Sequence, residues 1–271
     1  MMTVKTPKAE RSRPTPAAGP VILMLARREV LRFLRQPARL AAALGTPLLF
    51  WLFLSGGFAA ALDRAALGGM SYGAFLLPGM ITLAVLFASI FSSITTIDDR
   101  ASGWLQPALV SPTPRWVIGL GKVLGGGLVA WLHAVVLLLL WPLVADTLSI
   151  TGAVLALGLS LLIALALSAL GLAFAWRSPD TGSFHAVMNL VLMPLWLLSG
   201  AFFSIDGAAT WMQWVLRLNP LAWCTDAMRL ALHDGTVGLS VLGTLFFTSV
   251  TVLLALAVVC RPERAGGKAA A

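Results

Sequence analysis

Charged residues are scarce in this sequence, and their scarcity excludes a water-soluble fold. Only 11% of the 271 residues are charged and 59% are hydrophobic, whereas a soluble domain is roughly 25% charged. The basic residues give a net charge of +8, but they lie between apolar stretches and do not form the clustered patch of a nucleic-acid-binding domain. The composition therefore predicts an integral membrane protein that does not bind nucleic acid.

Groups that catalyse reactions or bind metals are also sparse. The three histidines, His133, His185 and His233, are scattered, so neither a metal site nor a catalytic triad is indicated. A phosphate-binding loop closes with Gly-Lys-Ser/Thr, but Gly121-Lys122 is followed by Val123. We therefore expect that this chain is not an enzyme, binds no cofactor or metal, and cannot hydrolyse ATP by itself.

Six apolar stretches are long enough to cross a bilayer, which takes about 20 residues. Such stretches must be α-helical because backbone groups find no water to bond in lipid. We therefore predict an all-α polytopic membrane protein with six transmembrane helices. The predicted spans are 40–62, 73–97, 123–145, 148–176, 184–203 and 237–260.

The distribution of basic residues predicts the orientation, because they accumulate on the cytoplasmic side of a membrane. If both termini are cytoplasmic, only Arg64, Arg217 and Arg229 among the nineteen basic residues lie outside. This topology separates Cys224 from Cys260 by the membrane, so we expect no disulfide between them.

The two ends of the chain are predicted to lie outside the membrane domain. Residues 1–20 combine four prolines with basic side chains, a composition that neither buries apolar surface nor forms a helix. We predict a disordered cytoplasmic tail there and a second cytoplasmic tail over 263–271. A single transmembrane domain is predicted over 21–262.

Between the first tail and the first span, residues 21–36 are amphipathic. Arginines recur at spacings of four, three and four, at Arg28, Arg32, Arg35 and Arg39, and a helix with this pattern lies along the membrane surface. It serves either as an anchor that only fixes the topology or as a docking element for a cytoplasmic partner.

The longest predicted cytoplasmic loop, residues 98–122, mixes charged with apolar side chains. Exposed apolar residues rimmed by charge suggest a contact surface for another protein, although packing against the protein's own first helix explains the pattern equally well. The candidate contact residues are Asp98, Asp99, Arg100, Gly103, Leu105, Leu109, Ser111 and Pro112.

The outer segment before the last span, residues 204–236, is rich in tryptophan. It fits two short, re-entrant-like helices broken at Asn219-Pro220, because proline suits the first position of a helix. The tryptophans form either an interfacial belt or part of a gate or substrate path. The candidate residues are Trp211, Trp214, Asn219, Pro220, Trp223, Asp226 and Arg229.

Two blocks of residues carry a resemblance to a known family. The first block contains Asp99-Arg100, Gly103, Leu105, residues 109–112 and Gly121-Lys122, and the second contains residues 193–203, Trp211, residues 219–221, Asp226 and Arg229. On these blocks the sequence resembles the ABC-2 type transporter permeases, the membrane subunits of ATP-binding-cassette exporters. The resemblance covers nearly the whole chain, and Gln106-Pro107 and Trp223 depart from the family pattern.

The resemblance implies a permease that moves an amphiphilic substrate, such as a drug, lipid or glycan, out across the bacterial cytoplasmic (inner) membrane. It implies a homodimer, or a heterodimer with a sister permease, docked on two cytoplasmic ABC ATPase subunits that bind the ATP and Mg²⁺. Residues 98–122 would supply the coupling helix. Asp99 with Arg100, and Asp226 with Arg229, would either form ion pairs that stabilise their helices or act directly in the function.

Two other functions fit the sequence. One is a secondary transporter driven by an ion gradient, because an ionisable residue inside a span, here His133, often has a transport role. The other is a membrane scaffold or an intramembrane enzyme that uses Ser199 or His185. Transport in the absence of ATP would favour the first of these alternatives.

Overall fold

The computed structural model describes residues 17–58, 67, 69–145, 149–203, 205 and 207–261. Within these residues every regular element is helical, which confirms the all-α prediction. The helices are α1 (Ala18–Leu34), α2 (Pro37–Phe58), α3 (Tyr72–Ala101), α4 (Gln106–Val110), α5 (Arg115–Leu138), α6 (Ile150–Arg177), α7 (Thr181–Leu197), α8 (Thr210–Leu218), α9 (Pro220–Asp234) and α10 (Leu239–Cys260).

Several predicted segments lie wholly or partly outside the described residues. These are the tail over 263–271, most of the tail over 1–20, residues 59–62 of the first predicted span, residue 148 of the fourth, and residues 204 and 206 of the outer segment. The end of the first tail is helical, since α1 begins at Ala18 and not at residue 21. Pro20 is compatible with this early start, because proline is tolerated in the first turn of a helix.

Five of the described helices, α2, α3, α5, α6 and α10, have the length and apolarity needed to cross a membrane. The fifth predicted span, 184–203, corresponds to α7, which has only 17 residues. At about 1.5 Å per residue, α7 is roughly 25 Å long, slightly less than the hydrocarbon core. It ends before Gly200, which adopts a positive φ of 69°, so residues 198–203 form a turn.

The helices on both sides of the predicted 98–122 loop extend into it. α3 continues to Ala101 and α5 begins at Arg115, which leaves residues 102–114, with α4 inside them, as the connection. The predicted spans 73–97 and 123–145 leave Asp99 and Lys122 outside the helices. Asp99 and Lys122 nevertheless lie within helices, because they bond to each other and to other charged groups.

The helix α1 packs lengthwise on α5, and its buried residues are Leu25, Ala26, Glu29 and Phe33. The predicted amphipathic character is confirmed, but the buried face includes an acidic residue. Leu23 is 70% exposed. The helix therefore has a protein-facing side and an outer side that carries both apolar and basic residues.

At the opposite end of the bundle from α4, the two predicted short helices are present as α8 and α9. Asn219 caps α9, because its side chain accepts a hydrogen bond from the backbone N–H of Leu221, and Pro220 occupies the first turn. The helix α9 ends at Asp234, where Gly235 adopts the left-handed conformation with a φ of 61°. We call these two ends of the bundle the α4 end and the α9 end.

The helix α3 lies at the centre of the bundle and is buried along most of its length. At Gly79 it meets the turn after α7, where an added Cβ would stand 2.4 Å from the Ala201 Cβ and 2.8 Å from its Cα. The indole N–H of Trp196 donates to the Gly79 carbonyl oxygen at 2.9 Å. A glycine is therefore required for the close contact between α3 and the α7 turn.

We predict that Gly79→Ala destabilises the protein by about 1–3 kcal/mol, because the new methyl group overlaps the backbone of the α7 turn. Gly158→Ala in α6 is the matched control, since an added Cβ there meets nothing within 4 Å. Thermal unfolding in detergent measures both. Equal stability of the two variants would contradict the close packing at Gly79.

Candidate functional site

Five charged side chains from three helices meet at the α4 end, and we call them the charge network. They are Arg28, Glu29 and Arg32 of α1, Asp99 of α3 and Lys122 of α5. The Asp99 carboxylate accepts hydrogen bonds from Arg28 at 2.8 Å, Arg32 at 2.6 Å and the Lys122 Nζ at 2.8 Å. One carboxylate therefore connects α1, α3 and α5.

Glu29 is the second anion of the charge network. Its Oε1 accepts from the Lys122 Nζ at 2.9 Å, and its Oε2 accepts from the Thr95 hydroxyl at 2.8 Å. Sequence reasoning missed Glu29, although one signal was present: it is an acidic residue spaced three and four positions from Ala26 and Phe33, on the face that packs against α5. An acidic residue on a buried helical face indicates a buried cation opposite it.

The two anions and the lysine of the network are almost inaccessible to solvent, whereas the side chains of Arg28 and Arg32 are 28% and 27% exposed. The side chains of Glu29 and Lys122 are each 3% exposed, and that of Asp99 is 2% exposed. Charges at this depth are stable only when they are paired and hydrogen-bonded. Burial alone would lower the pKa of the Arg28 guanidinium, but its bonds to Asp99 outweigh this effect and the pKa is raised, so Arg28 stays charged.

Two glycines of α5 make this network possible. An added Cβ at Gly121 would lie 2.8 Å from the Leu25 Cβ, and one at Gly125 would lie 2.7 Å from the Glu29 Cβ and 3.0 Å from the Ala26 Cα. The glycines are four residues apart and therefore form a flat stripe on one side of α5. This stripe brings the backbone of α1 close enough for Glu29 to reach Lys122.

The connection that contains α4 is attached directly to the network. The Leu105 side chain is fully buried, and its N–H donates to the backbone oxygen of Asp99 at 3.1 Å. The Arg28 guanidinium lies 3.3 Å from the centre of the Trp104 ring, a cation–π contact. Displacement of α4 would therefore act on both α1 and α3.

The outer surface of this connection is apolar. Val110 is 82% exposed, and Trp104 and Trp116 are each about 40% exposed. Next to them lies a cavity lined by residues of α1, α4 and their neighbours, among them Met24 and Pro107. The α4 end thus presents an exposed apolar surface that lies directly over the buried part of the charge network.

The predicted contact residues of this region fall into two groups. Asp99 and Leu105 are buried and cannot touch a partner. Arg100 is also directed inward, since its guanidinium donates to the backbone oxygens of Trp176 and Ser178 and not to Asp99. The more accessible group comprises Asp98, which lies near Arg32 and Arg39, together with Gly103, Leu109, Ser111 and Pro112.

Among the arginines of the predicted interfacial helix, Arg28 and Arg32 belong to the charge network. Arg39 lies in α2, where its guanidinium is 3.7 Å from the Asp98 carboxylate. Arg35 is exposed at the end of α1. Despite their regular spacing, the four arginines therefore lie in two environments: Arg28 and Arg32 in the charge network, and Arg35 and Arg39 outside it.

At the α9 end, two of the predicted gate residues attach α9 to the bundle. The Arg229 guanidinium donates to the Gly200 carbonyl oxygen at 2.8 Å and lies over the Phe75 ring. The Asn219 amide donates to the carbonyl oxygens of Leu195 and Leu198, each at 2.6 Å. Both residues therefore have structural contacts, and Asp226 acts on Arg229 electrostatically from one helical turn away.

The tryptophans of this end differ in their surroundings. Trp211 and Trp214 are 67% and 62% exposed on α8, as expected for side chains at a membrane interface. Trp223 instead packs its ring against Gly243 of α10, and its indole N–H donates to the Arg217 carbonyl oxygen at 2.8 Å.

Comparison with known proteins agrees with this architecture. The family model described as ABC-2 type transporter matches residues 20–233, which include the charge network and most of α1 and α9. The chain belongs to the ABC-2 type transporter family. The match explains why two separated blocks, one at each end of the bundle, resembled the same family.

The individual relatives share about a quarter to a third of the aligned residues with this chain. The chain is 28% identical over 234 residues to Nodulation protein J of Rhizobium leguminosarum bv. viciae, covering 79% of this chain and 83% of that protein. It is 32% identical over 202 residues to Nodulation protein J of Rhizobium meliloti (strain 1021), covering 71% and 73%. It is 27% identical over 162 residues to the probable multidrug ABC transporter permease YbhR of Escherichia coli (strain K12), covering 58% and 43%.

We predict that Lys122→Met lowers the free energy of unfolding by about 3–5 kcal/mol, because it leaves Glu29 and Asp99 buried with fewer cations. The double variant Glu29→Gln/Lys122→Met should lose at least about 1 kcal/mol less than the sum of the two single variants, because they share one contact. Unfolding in detergent measures the stability of the two single variants, Glu29→Gln and Lys122→Met, and of the double variant.

The control for this cycle is Arg177→Gln, which removes an exposed cation from the end of α6. We expect it to change stability by less than about 0.5 kcal/mol. Additive losses in the Glu29 and Lys122 variants would show that the two side chains do not stabilise each other.

Proposed function

We propose that this chain is the permease subunit of an ABC exporter and that the α4 end is its docking surface for the ATPase. The observation that carries the proposal is the pairing of an exposed apolar surface, at Trp104, Val110 and Trp116, with a buried charge network directly beneath it. A connection needed only to join α3 to α5 would have no reason to expose large apolar side chains. Family membership supports the same function.

In this mechanism the charge network transmits motion. ATP binding to two partner subunits, which hold the nucleotide and Mg²⁺, favours one arrangement of the complex because the two arrangements bind nucleotide with different affinity. Movement of α4 reaches α3 through the Leu105–Asp99 backbone bond and reaches α1 through the Trp104–Arg28 contact. Asp99, Glu29 and Lys122 are thus positioning residues, and Asp98, Val110 and Pro112 provide the contact surface.

A second permease copy completes the proposed pathway, most simply as a homodimer. The helices α2 and α10 bury only a minor share of their apolar surface inside this chain, with Phe53 and Leu253 among their exposed side chains. These faces are available to lipid and to a second copy. The substrate passing between two copies is proposed to be amphiphilic, of the drug, lipid or glycan class.

The proposed orientation places the α4 end in the cytoplasm and the α9 end outside the bacterial inner membrane, with both termini cytoplasmic. The excess of basic residues near the α4 end supports this orientation. In this orientation α8, with Trp211 and Trp214, lies on the outer surface of the membrane. The turn after α7, which Asn219 and Arg229 hold in place, then lies at the outer exit of the substrate path. Export is the corresponding direction of transport.

We predict that Val110→Asp abolishes co-purification with the cognate ABC ATPase and reduces permease-stimulated ATP hydrolysis at least tenfold, because a carboxylate replaces an apolar contact. Val237→Asp is the matched control: Val237 is also exposed, but it lies between α9 and α10 at the α9 end. Retention of the ATPase by both variants would contradict docking at α4. The chain alone should hydrolyse no ATP.

A test with His133 separates this proposal from transport driven by an ion gradient. The His133 ring bonds to the Val129 carbonyl oxygen at 2.8 Å, and its edge packs against Phe33 of α1, which are structural contacts. We expect vesicles depleted of ATP to show no transport, with or without His133→Ala. Transport that persists without ATP and disappears in the variant would establish the gradient-driven mechanism instead.

A further inference from the structure

A second cavity lies at the α9 end, away from the charge network. It has a volume of about 420 Å³ and is bordered by α8, α9 and the start of α10, a size within the usual range of small-molecule sites. Its lining combines the polar residues Arg217, Asp226 and Ser240 with the Trp223 ring and with leucines. No role proposed above depends on this combination.

The polar side chains of this cavity have no hydrogen-bond partner among the described residues. Within the described part of the chain, the side chains of Arg217 and Asp226 make no hydrogen bond or ion pair, although Asp226 is near enough to Arg229 to act on it electrostatically. The Ser240 hydroxyl is buried and likewise has no bonding partner among the described residues. Buried hydroxyls are nearly always hydrogen-bonded, so a polar group from outside the chain fits beside Ser240.

The Trp223 ring forms a fixed wall of the cavity. Its indole N–H is bonded to the Arg217 carbonyl oxygen, and an added Cβ at Gly243 would lie 2.9 Å from the ring, so the ring rests flat on α10. An indole face attracts an ammonium group, and a nearby carboxylate strengthens that attraction. The cavity therefore offers a cation site at Trp223 and Asp226 and an anion site at Arg217.

The cavity also lies where a lipid headgroup would be. Trp211 and Trp214 project from the neighbouring α8 with exposures typical of the membrane interface. From the cavity, the exposed apolar stripe of α10 runs away from the α9 end through Leu242, Phe246 and Leu253, at spacings that keep these residues on one helical face. Acyl chains can follow this stripe towards the centre of the bilayer.

We propose that this cavity binds the headgroup of a zwitterionic phospholipid that carries a primary ammonium, phosphatidylethanolamine in its simplest form. Arg217 binds the phosphate. Asp226, Ser240 and the Trp223 face bind the ammonium, and the α10 stripe receives the acyl chains. In the orientation proposed above, this is an outer-leaflet site.

The chemistry distinguishes this lipid from others. Phosphatidylcholine has the same charges but no N–H to donate to Asp226 and Ser240. Phosphatidylglycerol has the phosphate but no cation for Asp226. Phosphatidylcholine thus loses the hydrogen bonds to Asp226 and Ser240, and phosphatidylglycerol loses the charge opposite Asp226. We expect phosphatidylethanolamine to bind about tenfold more tightly than either lipid.

Native mass spectrometry of the full chain, stripped of lipid in detergent and titrated with each of the three lipids, tests this proposal. Asp226→Asn should remove the preference for phosphatidylethanolamine over phosphatidylcholine. Arg217→Gln should weaken both zwitterionic lipids. Asp234→Asn is the matched control, since it removes an exposed carboxylate from the end of the same helix, and it should bind lipid like the unmodified chain.

Two results would overturn the proposal: equal binding of the three lipids by the unmodified chain, or an ethanolamine preference that survives in a folded Asp226→Asn protein. Arg217 is exposed, so its variant remains informative if Asp226→Asn fails to fold. Competition between soluble phosphoethanolamine and the lipid shows whether the cavity binds a lipid headgroup or a free zwitterion. Weak competition is expected for a lipid site, whereas full displacement at equimolar concentration would assign the cavity to a soluble zwitterion and overturn the lipid proposal.

Discussion

The carboxylate of Asp99, enclosed by three cations, is the interaction on which the α4 end depends. It is 2% exposed and bonds to two arginines of α1 and to Lys122 of α5. An isolated carboxylate at that depth would be neutralised or hydrated. The surrounding helices are therefore arranged to supply positive charge, and α1 is held against the bundle by ionic bonds as well as by its apolar face. The short connection that contains α4 is therefore attached to helices whose relative positions are fixed by these ionic bonds.

The two ends of the bundle use different physical means. At the α4 end, full charges pair with full charges across three helices. At the α9 end, Arg229 and Asn219 bond mainly to carbonyl oxygens that the turn after α7 leaves unpaired. Ion pairs connect side chains that can exchange partners, whereas bonds to backbone oxygens fix one local geometry. The α4 end is accordingly better suited to transmit movement, and the α9 end is better suited to maintain a shape.

Much of the fold was predictable because the bilayer restricts the alternatives. Apolar length identified the long helices, and Asn219-Pro220 together with Gly235 located the ends of α9. Local polarity was misleading at Asp99 and Lys122, whose partners are distant in sequence, so the predicted loop was too long. The length of α7 was also overestimated, because the turn at Gly200 depends on contacts with α3. For the candidate site, the sequence predicts the segment but not which residues face outward, since Leu105 and Asp99 point inward and Val110 does not.

The pairing of Glu29 with Lys122 also constrains how the protein is made. The two residues are 93 positions apart, so the ribosome releases α1 long before α5 exists. Until α5 enters the bilayer, Glu29 has no buried cation opposite it, and α1 remains more stable at the wet surface of the membrane than against a partly built bundle. Docking of α1 is therefore a late step of assembly, completed only after α3 and α5 have brought Asp99 and Lys122 together.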